Sequence, residues 1–318
     1  MIAVFSLLFL ASSVLTNSEI VLQLILGCTL VATLSIIAYY VIPDYARMKE
    51  WHGNLHLPGK RMAGITGTAN AVGYITAMCL MALYFYREYL PKRLPLRYWI
   101  FVALNLFALI MSNSRTSMVA LIGAIIIGKI VKLSSQRLMI FFTAICLAII
   151  FIATVDLDFV FSLIARSGEA EEIKTGTGRS KIWDTVFRLI GEKPIFGWGY
   201  GSSTFILPAE SKVIGESVTS AHNSFLQVLL SVGFVGLFFF ILVMGTKLYF
   251  SLKSKEPLNI GFISFLLING MTESIAFQGV ATTTTLVLAI VLALNYRTED
   301  DETSDTAHQQ RLPGSVAT

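Results

Sequence analysis

The chain has 318 residues, of which 55% are hydrophobic and only 14% are charged, and its mean hydropathy is +0.70. This composition excludes a water-soluble Rossmann enzyme, a disordered regulator and a nucleic-acid-binding domain, because none of these carries many long apolar runs. The net charge of +4 indicates orientation in a membrane before it indicates an anionic partner. We therefore interpret the chain as a polytopic membrane protein.

Nine apolar runs approach the roughly 20 residues that an α-helix needs to cross a bilayer. In chain order they cover residues 2–15, 20–42, 63–86, 98–111, 117–133, 138–155, 224–250, 258–275 and 280–296. No alternating strand pattern competes with them, and backbone in lipid must satisfy its own hydrogen bonds. The sequence predicts an all-α fold, a transmembrane helical bundle of about nine spans that forms one integral membrane domain over residues 1–318.

Basic residues set the expected orientation of this bundle. With the acidic tail 297–318 placed in the cytoplasm, where we expect it to be disordered, the cytoplasmic loops 87–97, 129–137 and 247–255 hold ten Lys and Arg residues. The short loops of the other side hold five, namely Arg47, Lys49, Lys60, Arg61 and Arg115. Residues 156–221 then form one long exterior loop, and loops of that length are usually functional or disordered.

The exterior loop contains a predicted amphipathic helix. Its apolar stripe comprises Ile182, Trp183, Val186, Phe187 and Ile190, with charged residues opposite and Pro194 as the expected helix stop. A helix of this kind either belongs to a functional site or lies at the membrane interface as structure alone.

Two arginines and one histidine are the candidates for chemistry on the exterior side. Arg115 joins two spans, Arg179 precedes the amphipathic helix, and His222 lies next to Asn223 where the loop returns to the membrane. Guanidinium groups at this level suit a diphosphate carried on a lipid, because each binds an anion bidentately, and histidine is a common general base near neutral pH. The alternatives are arginines that extend to the interface or contact phospholipid, and a structural histidine. Arg61 and Arg166 are weaker candidates.

Other binding chemistries have little support in the sequence. The glycine cluster at residues 197–201 does not follow a buried strand, so a nucleotide-binding loop is not expected. His52 and His56 are four residues apart but are flanked by Gly53 and Pro58, which disfavour a continuous helix. The two aspartates at 156 and 158 fit the polar exit of a span better than a cation site. We expect neither a metal nor a cofactor.

Several motifs together resemble the O-antigen ligase and polymerase family of bacterial membrane glycosyltransferases. The most specific are GTGRSKIW at residues 176–183, PIFGWGYG at 194–201 and AHNSFLQVLLSVGFVGL at 221–237. RMAGITGTANAVGY at 61–74, SNSRTS at 112–117 and TES at 272–274 support them. The resemblance runs from about residue 61 to residue 277, and family members usually have more spans before this region.

The resemblance implies a metal-independent transfer of a glycan from an undecaprenyl diphosphate carrier to a sugar hydroxyl of a glycan or lipid-linked acceptor. It places the protein in the bacterial cytoplasmic membrane, among membrane lipids and with no nucleic acid partner, and its active site on the periplasmic side. By motif, His222, Arg179 and Arg115 correspond to catalytic residues, with Arg115, Arg179 and Arg61 at the diphosphate. Polymerisation of surface polysaccharide repeats is favoured, and ligation to a lipid A core is the alternative. A displacement opposite the leaving group predicts inversion at the anomeric carbon.

Two other classes of function stay open at the level of sequence. A lipid-linked glycan transporter or flippase would carry charged residues near the centres of several spans, whereas the ionisable residues here lie at span ends apart from Glu273. A scaffold subunit of an envelope assembly would tolerate alanine at Arg115, Arg179 and His222.

Overall fold

A computed structural model describes residues 17–48, 61–87, 95–131, 179–214 and 218–274, together with residues 288, 290, 291 and 294. Six of the nine predicted runs coincide with described helices. The runs at 2–15 and 138–155, nearly all of 280–296, and the tail 297–318 lie outside the described residues.

The described part is almost entirely helical. The helices are α1 (Asn17–Val41), α2 (Pro43–Ala46), α3 (Ala69–Tyr86), α4 (Leu96–Ser112), α5 (Arg115–Ile130), α6 (Arg179–Glu192), α7 (Ser203–Ala209), α8 (Ser211–Ile214), α9 (Ser224–Ser254) and α10 (Pro257–Gly270). A 3₁₀ turn covers Gly64–Thr66. The two-residue strands β1 (Arg47–Met48) and β2 (Arg61–Met62) pair antiparallel, a local bridge that the all-α prediction does not include.

Three described helices are long and apolar enough to cross a membrane, namely Ser18–Val41 within α1, α3 and α9. Two shorter apolar helices, α4 and α10, stand beside them. Large apolar side chains remain exposed along α1, α4 and α9, as expected where helices face lipid. These features indicate a membrane protein.

α3 lies at the centre of the bundle, against α1, α4, α5 and α10. Its side chains are buried along almost the whole helix. Near its end, the Phe85 ring packs against Gly128 of α5 and Gly261 of α10, where a Cβ would approach the ring to 2.6 Å and 2.7 Å. Small residues at such contacts let membrane helices pack closely.

α9 is broken at Gly233, although its sequence predicts one uninterrupted span. Gly233 has φ 66° and ψ −167°, which is not a helical conformation. The rings of Phe225 and Phe240 lie 6.0 Å apart, whereas 15 residues of straight helix span about 22 Å. The halves 224–232 and 234–254 therefore fold toward each other.

The loop that follows α6 satisfies the backbone groups exposed by this break. Trp198 N donates to Leu230 O and Gly199 N to Ser231 O, while Phe234 N donates to Pro194 O and Val235 N to Ile195 O, at 2.8–3.2 Å. These bonds cap the last carbonyls of one half of α9 and the first amides of the other.

Two glycines permit this close approach. A Cβ at Gly233 would meet the backbone of Ile195, and one at Gly197 would lie 2.6 Å from the Ser231 carbonyl carbon. The PIFGWGYG motif is therefore a cap for a broken helix.

The amphipathic helix predicted before Pro194 is confirmed as α6. Ile182, Val186 and Ile190 are buried, in a cluster with side chains from α7, α8 and the first half of α9. Phe187 differs from the prediction, since it is 57% exposed. The apolar stripe packs mainly against protein, so it is not held at the membrane as an isolated interfacial helix.

Candidate functional site

One end of the bundle gathers polar groups from five separate segments. These are the start of α3, the turn between α4 and α5, the start of α6, the residues before α9 and the turn after α10. Arg179 is the first residue of α6, His222 lies just before α9, and Glu273 follows the end of α10. Side chains far apart in the chain thus meet at one place.

The Glu273 carboxylate is the centre of this arrangement. Arg179 Nη2 lies 2.7 Å from Oε1, which also accepts a hydrogen bond of 2.8 Å from Asn70 Nδ2. His222 Nδ1 lies 3.4 Å from Oε2. We call Asn70, Arg179, His222 and Glu273 the Glu273 cluster. It links a potential base and a cation through one acidic group.

The ionisation of Glu273 follows from these contacts. Burial alone raises the pKa of the carboxyl group, because it penalises the charged form. Contacts with three side chains lower the pKa by more than burial raises it. They are the hydrogen bond and charge interaction with His222, the charge of Arg179 and the hydrogen bond from Asn70. The pKa of Glu273 therefore lies below its ordinary value, and the group is an anion at neutral pH.

Backbone contacts fix the position of His222 relative to Glu273. Ser224 Oγ donates to Glu273 O at 2.8 Å, and Asn223 Nδ2 donates to Met271 O at 2.9 Å. Asn223 also caps α9, because its side chain accepts bonds from the first amides of the helix. His222 itself has φ 48°, in the left-handed region of backbone conformation. Non-glycine residues rarely adopt this conformation, and those that do are concentrated at functional sites.

A buried glutamine, Gln227, also holds the segment that carries His222. Gln227 Oε1 accepts from Ala221 N at 2.9 Å, and its Nε2 donates to Ser203 Oγ at 2.8 Å. Trp183 Nε1 donates to Ala221 O at 3.0 Å. The residue before His222 is thus held by α6 and α9, and through Gln227 it is connected to α7.

Arg61 lies behind the cluster and contacts it through Asn70. Its Nη2 donates to Asn70 Oδ1 at 2.7 Å and to Asn113 O at 3.3 Å, and its Nε donates to Ser112 O at 2.9 Å. The residue is only 9% exposed. Arg61 therefore orients the amide that binds Glu273 and holds the turn between α4 and α5.

Arg115 is the first residue of α5 and immediately follows that turn. The next residue, Thr116, accepts a hydrogen bond of 3.1 Å from the Thr272 hydroxyl. Because Thr272 precedes Glu273, the start of α5 is joined to the turn that carries the carboxylate. The structure thus brings Arg115 to the same end of the bundle as the cluster.

Four of the five arginine and histidine candidates from the sequence reach this end of the bundle, and Arg166 lies outside the described residues. The sequence interpretation missed the roles of Glu273 and Asn70. For Glu273 a signal existed, since an ionisable residue within an otherwise apolar run usually serves function. Asn70 had no comparable signal, because a single amide near the start of a helix is common.

Metal binding has no support in the described ranges, where no group of three or more His, Cys, Asp or Glu side chains is arranged to hold an ion. His52, His56 and the aspartates at 156 and 158 lie outside these ranges.

Comparisons with known proteins agree with the resemblance seen in the motifs. Residues 100–241, from α4 into α9, match the sequence model of the O-antigen ligase family. Over these residues the chain is similar to O-antigen ligases. The matched region contains Arg115, Arg179 and His222, while Arg61 and Glu273 lie on either side of it.

Two curated relatives are similar over about half of the chain. A ComP-specific O-oligosaccharyltransferase of Acinetobacter baylyi is 28% identical over 186 residues, which are 55% of this chain and 34% of the relative. A candidate polysaccharide ligase of Rickettsia conorii is 30% identical over 177 residues, 51% of this chain and 42% of the relative. The matches thus span less than half the length of either relative.

Proposed function

We propose that this O-antigen ligase-like chain transfers a glycan from a polyprenyl diphosphate carrier to an acceptor hydroxyl. The observation that carries the proposal is the Glu273 carboxylate, which contacts both His222 and Arg179. A base and an anion-binding group at fixed separation are what a transfer from a diphosphate requires.

In this proposal His222 is the general base. A hydrogen bond from Nδ1 to Glu273 selects the tautomer in which Nε2 carries the lone pair. Nε2 accepts the proton of the acceptor hydroxyl as its oxygen bonds to the anomeric carbon of the donor glycan. The bond from that carbon to the diphosphate oxygen breaks, and its electron pair leaves with the carrier. Attack opposite the diphosphate inverts the anomeric configuration.

The arginines act on the leaving group. Arg179 and Arg115 bind the diphosphate and stabilise the negative charge that grows on it, which is most effective where water is partly excluded. The Arg179 side chain is 18% exposed, a level consistent with such a site. Arg61 acts indirectly, because its hydrogen bonds hold the turn before Arg115 and the Asn70 amide. This scheme needs neither a metal nor a nucleotide sugar.

Two reactions fit this proposal, and they differ in the acceptor. The GTGR and PIFGWGYG patterns favour polymerisation of repeat units. The activities for which the two relatives are named, oligosaccharide transfer and polysaccharide ligation, favour a different acceptor for the finished glycan. We place the reaction on the exterior side of the bacterial cytoplasmic membrane, because the loops at the other end of the bundle hold more basic residues.

Complementation tests the proposal and separates the reactions. A strain that lacks its own copy of the gene receives wild type, Arg115→Ala, Arg179→Ala or His222→Ala, with membrane protein levels measured for each. We expect loss of the glycan product at normal protein levels. Carrier-linked single repeats accumulate if the reaction is polymerisation, and long carrier-linked chains accumulate if it is ligation.

Arg97→Ala is the matched control, because Arg97 is exposed near the start of α4, at the opposite end of the bundle. It should leave glycan production unchanged. Full production by all three site variants would contradict the enzymatic proposal and favour a transporter or a scaffold. Retention of anomeric configuration in the product would contradict the single displacement alone.

A further inference from the structure

The second half of α9 has the dimensions and surface of a lipid-facing span. Residues 234–254 are 21 residues of helix, about 31 Å long, which matches the roughly 30 Å hydrocarbon thickness of a bilayer. Its large apolar side chains are exposed, including Phe234, Phe238 and Ile241 at 56%, 62% and 52%. The first half, residues 224–232, is instead largely buried in protein.

The loop after α6 lies at the upper end of this span. Pro194 O and Ile195 O accept hydrogen bonds from the first two amides of the lipid-facing half. Ile195 and Phe196 turn outward, with 58% and 75% of their surfaces exposed. Two bare apolar side chains thus continue the exposed face that begins at Phe234. We call residues 194–198 and Phe234 the tip.

The polar neighbours of the tip have the chemistry of a membrane interface. Lys193 Nζ lies 4.1 Å from the centroid of the Trp198 ring, and Trp198 Nε1 donates to Leu189 O at 2.8 Å. Tryptophan is enriched at the level of lipid headgroups, and a lysine there extends its ammonium group toward water or phosphate. The tip therefore combines exposed apolar side chains with an adjacent tryptophan and lysine, a combination typical of the membrane interface.

We propose that the tip is a membrane anchor, in which Ile195 and Phe196 insert into the outer leaflet beside the lipid-facing half of α9. The partner is the phospholipid bilayer. The anchor joins the end of α6 to the break in α9, and both of these elements lead to the Glu273 cluster at their other ends. Insertion would therefore fix the level of the cluster relative to the lipid, whichever reaction occurs there.

Depth-dependent fluorescence quenching tests the anchor in the full chain reconstituted in phosphatidylcholine vesicles. Phe196→Cys and Ile195→Cys are each labelled with a small environment-sensitive fluorophore. The unmodified chain, with its three native cysteines, gives the background to subtract. Lipids brominated near the headgroup quench a label in the outer leaflet, and aqueous iodide quenches a label in water.

Glu192→Cys is the matched control, because Glu192 is a charged, exposed residue four positions before Phe196. We expect lipid quenching of the Phe196 and Ile195 labels at least about twofold greater than that of the Glu192 label, with protection from iodide. Iodide quenching equal to that of the control would overturn the proposal. An absence of quenching by brominated lipid would also overturn it, since another protein segment would then cover the tip. Each variant is compared only after its thermal midpoint is shown to match that of wild type.

Discussion

The two halves of α9 belong to one apolar stretch of sequence but have different surroundings. The first half carries Gln227 and Ser231, both fully buried and hydrogen-bonded, and begins at the Glu273 cluster. The second half exposes aromatic and aliphatic side chains along most of its length. The difference shows that hydropathy alone does not separate a helix that supports a site from a helix that faces lipid.

Substitution of Gly233 should have the largest effect, because this residue joins the two halves. In Gly233→Val a side chain meets the Ile195 backbone at φ 66°, and we expect a loss of about 3–5 kcal/mol or no folded protein. The thermal unfolding midpoint in detergent measures the loss of stability, and the size-exclusion elution profile shows whether folded protein is obtained. Gly245→Val is the control, since nothing lies within 4 Å of a Cβ there. Equal stability of the two variants would contradict the broken helix.

Glu273→Gln should lower glycan transfer roughly 10²-fold, because His222 loses its charged partner and general-base catalysis is typically worth about 10² to 10⁴. A change in the pH profile of the remaining activity would distinguish this positioning role from a merely structural one. Glu256→Gln, at the other end of α10, should stay active. Wild-type activity in Glu273→Gln would show that glycan transfer does not require the charge of Glu273.

Gln227→Ala in the buried half should cost about 1–3 kcal/mol, because Ala221 N and Ser203 Oγ lose their partner away from water. Thr246→Ala in the exposed half removes only a bond to Leu242 O within the helix and should change stability by less than about 0.5 kcal/mol. Unfolding midpoints in the same detergent compare the two. A larger loss of stability at Thr246 would contradict the assignment of the first half of α9 as buried and the second half as exposed.

Acid should weaken the end of the bundle that contains Glu273. Because its folded-state pKa is lowered, its stabilising contribution is fully present above the unfolded-state pKa, about 4.3, and is lost as pH falls through the folded-state pKa. The stability difference between wild type and Glu273→Gln should therefore narrow as pH is lowered. Unfolding midpoints over a pH series measure it. A difference that does not vary with pH would mean that ionisation of Glu273 does not stabilise the fold.

Phe238→Leu should have the smallest effect, because this side chain is 62% exposed on the lipid-facing half. An apolar replacement in contact with lipid should alter stability by less than about 0.5 kcal/mol in bicelles. Leu230→Ala provides the contrast, since Leu230 is fully buried in the first half and its truncation should cost about 2–5 kcal/mol. Comparable losses at both positions would indicate that protein covers Phe238.

Much of the fold was predictable from the sequence because apolar length and helical periodicity are local properties. The helices near residues 20–42, 63–86 and 98–111 and the amphipathic helix before Pro194 are found close to their expected positions. The break at Gly233 was not predicted, because a glycine within an apolar run is compatible with a straight membrane helix. The loop that caps the break packs against it through a second glycine, Gly197, more than thirty residues earlier in the chain.

The sequence by itself determined a helical membrane protein, the motifs that resemble O-antigen ligases, and the choice of Arg61, Arg115, Arg179 and His222 as residues of interest. Only the tertiary structure decided that Glu273 contacts Arg179 and His222, and that Arg61 contacts Asn70 and the turn before Arg115. The physical reason is that helix formation and membrane insertion depend on neighbouring residues. A charge cluster depends instead on which helix ends meet in space, and local patterns carry no record of that.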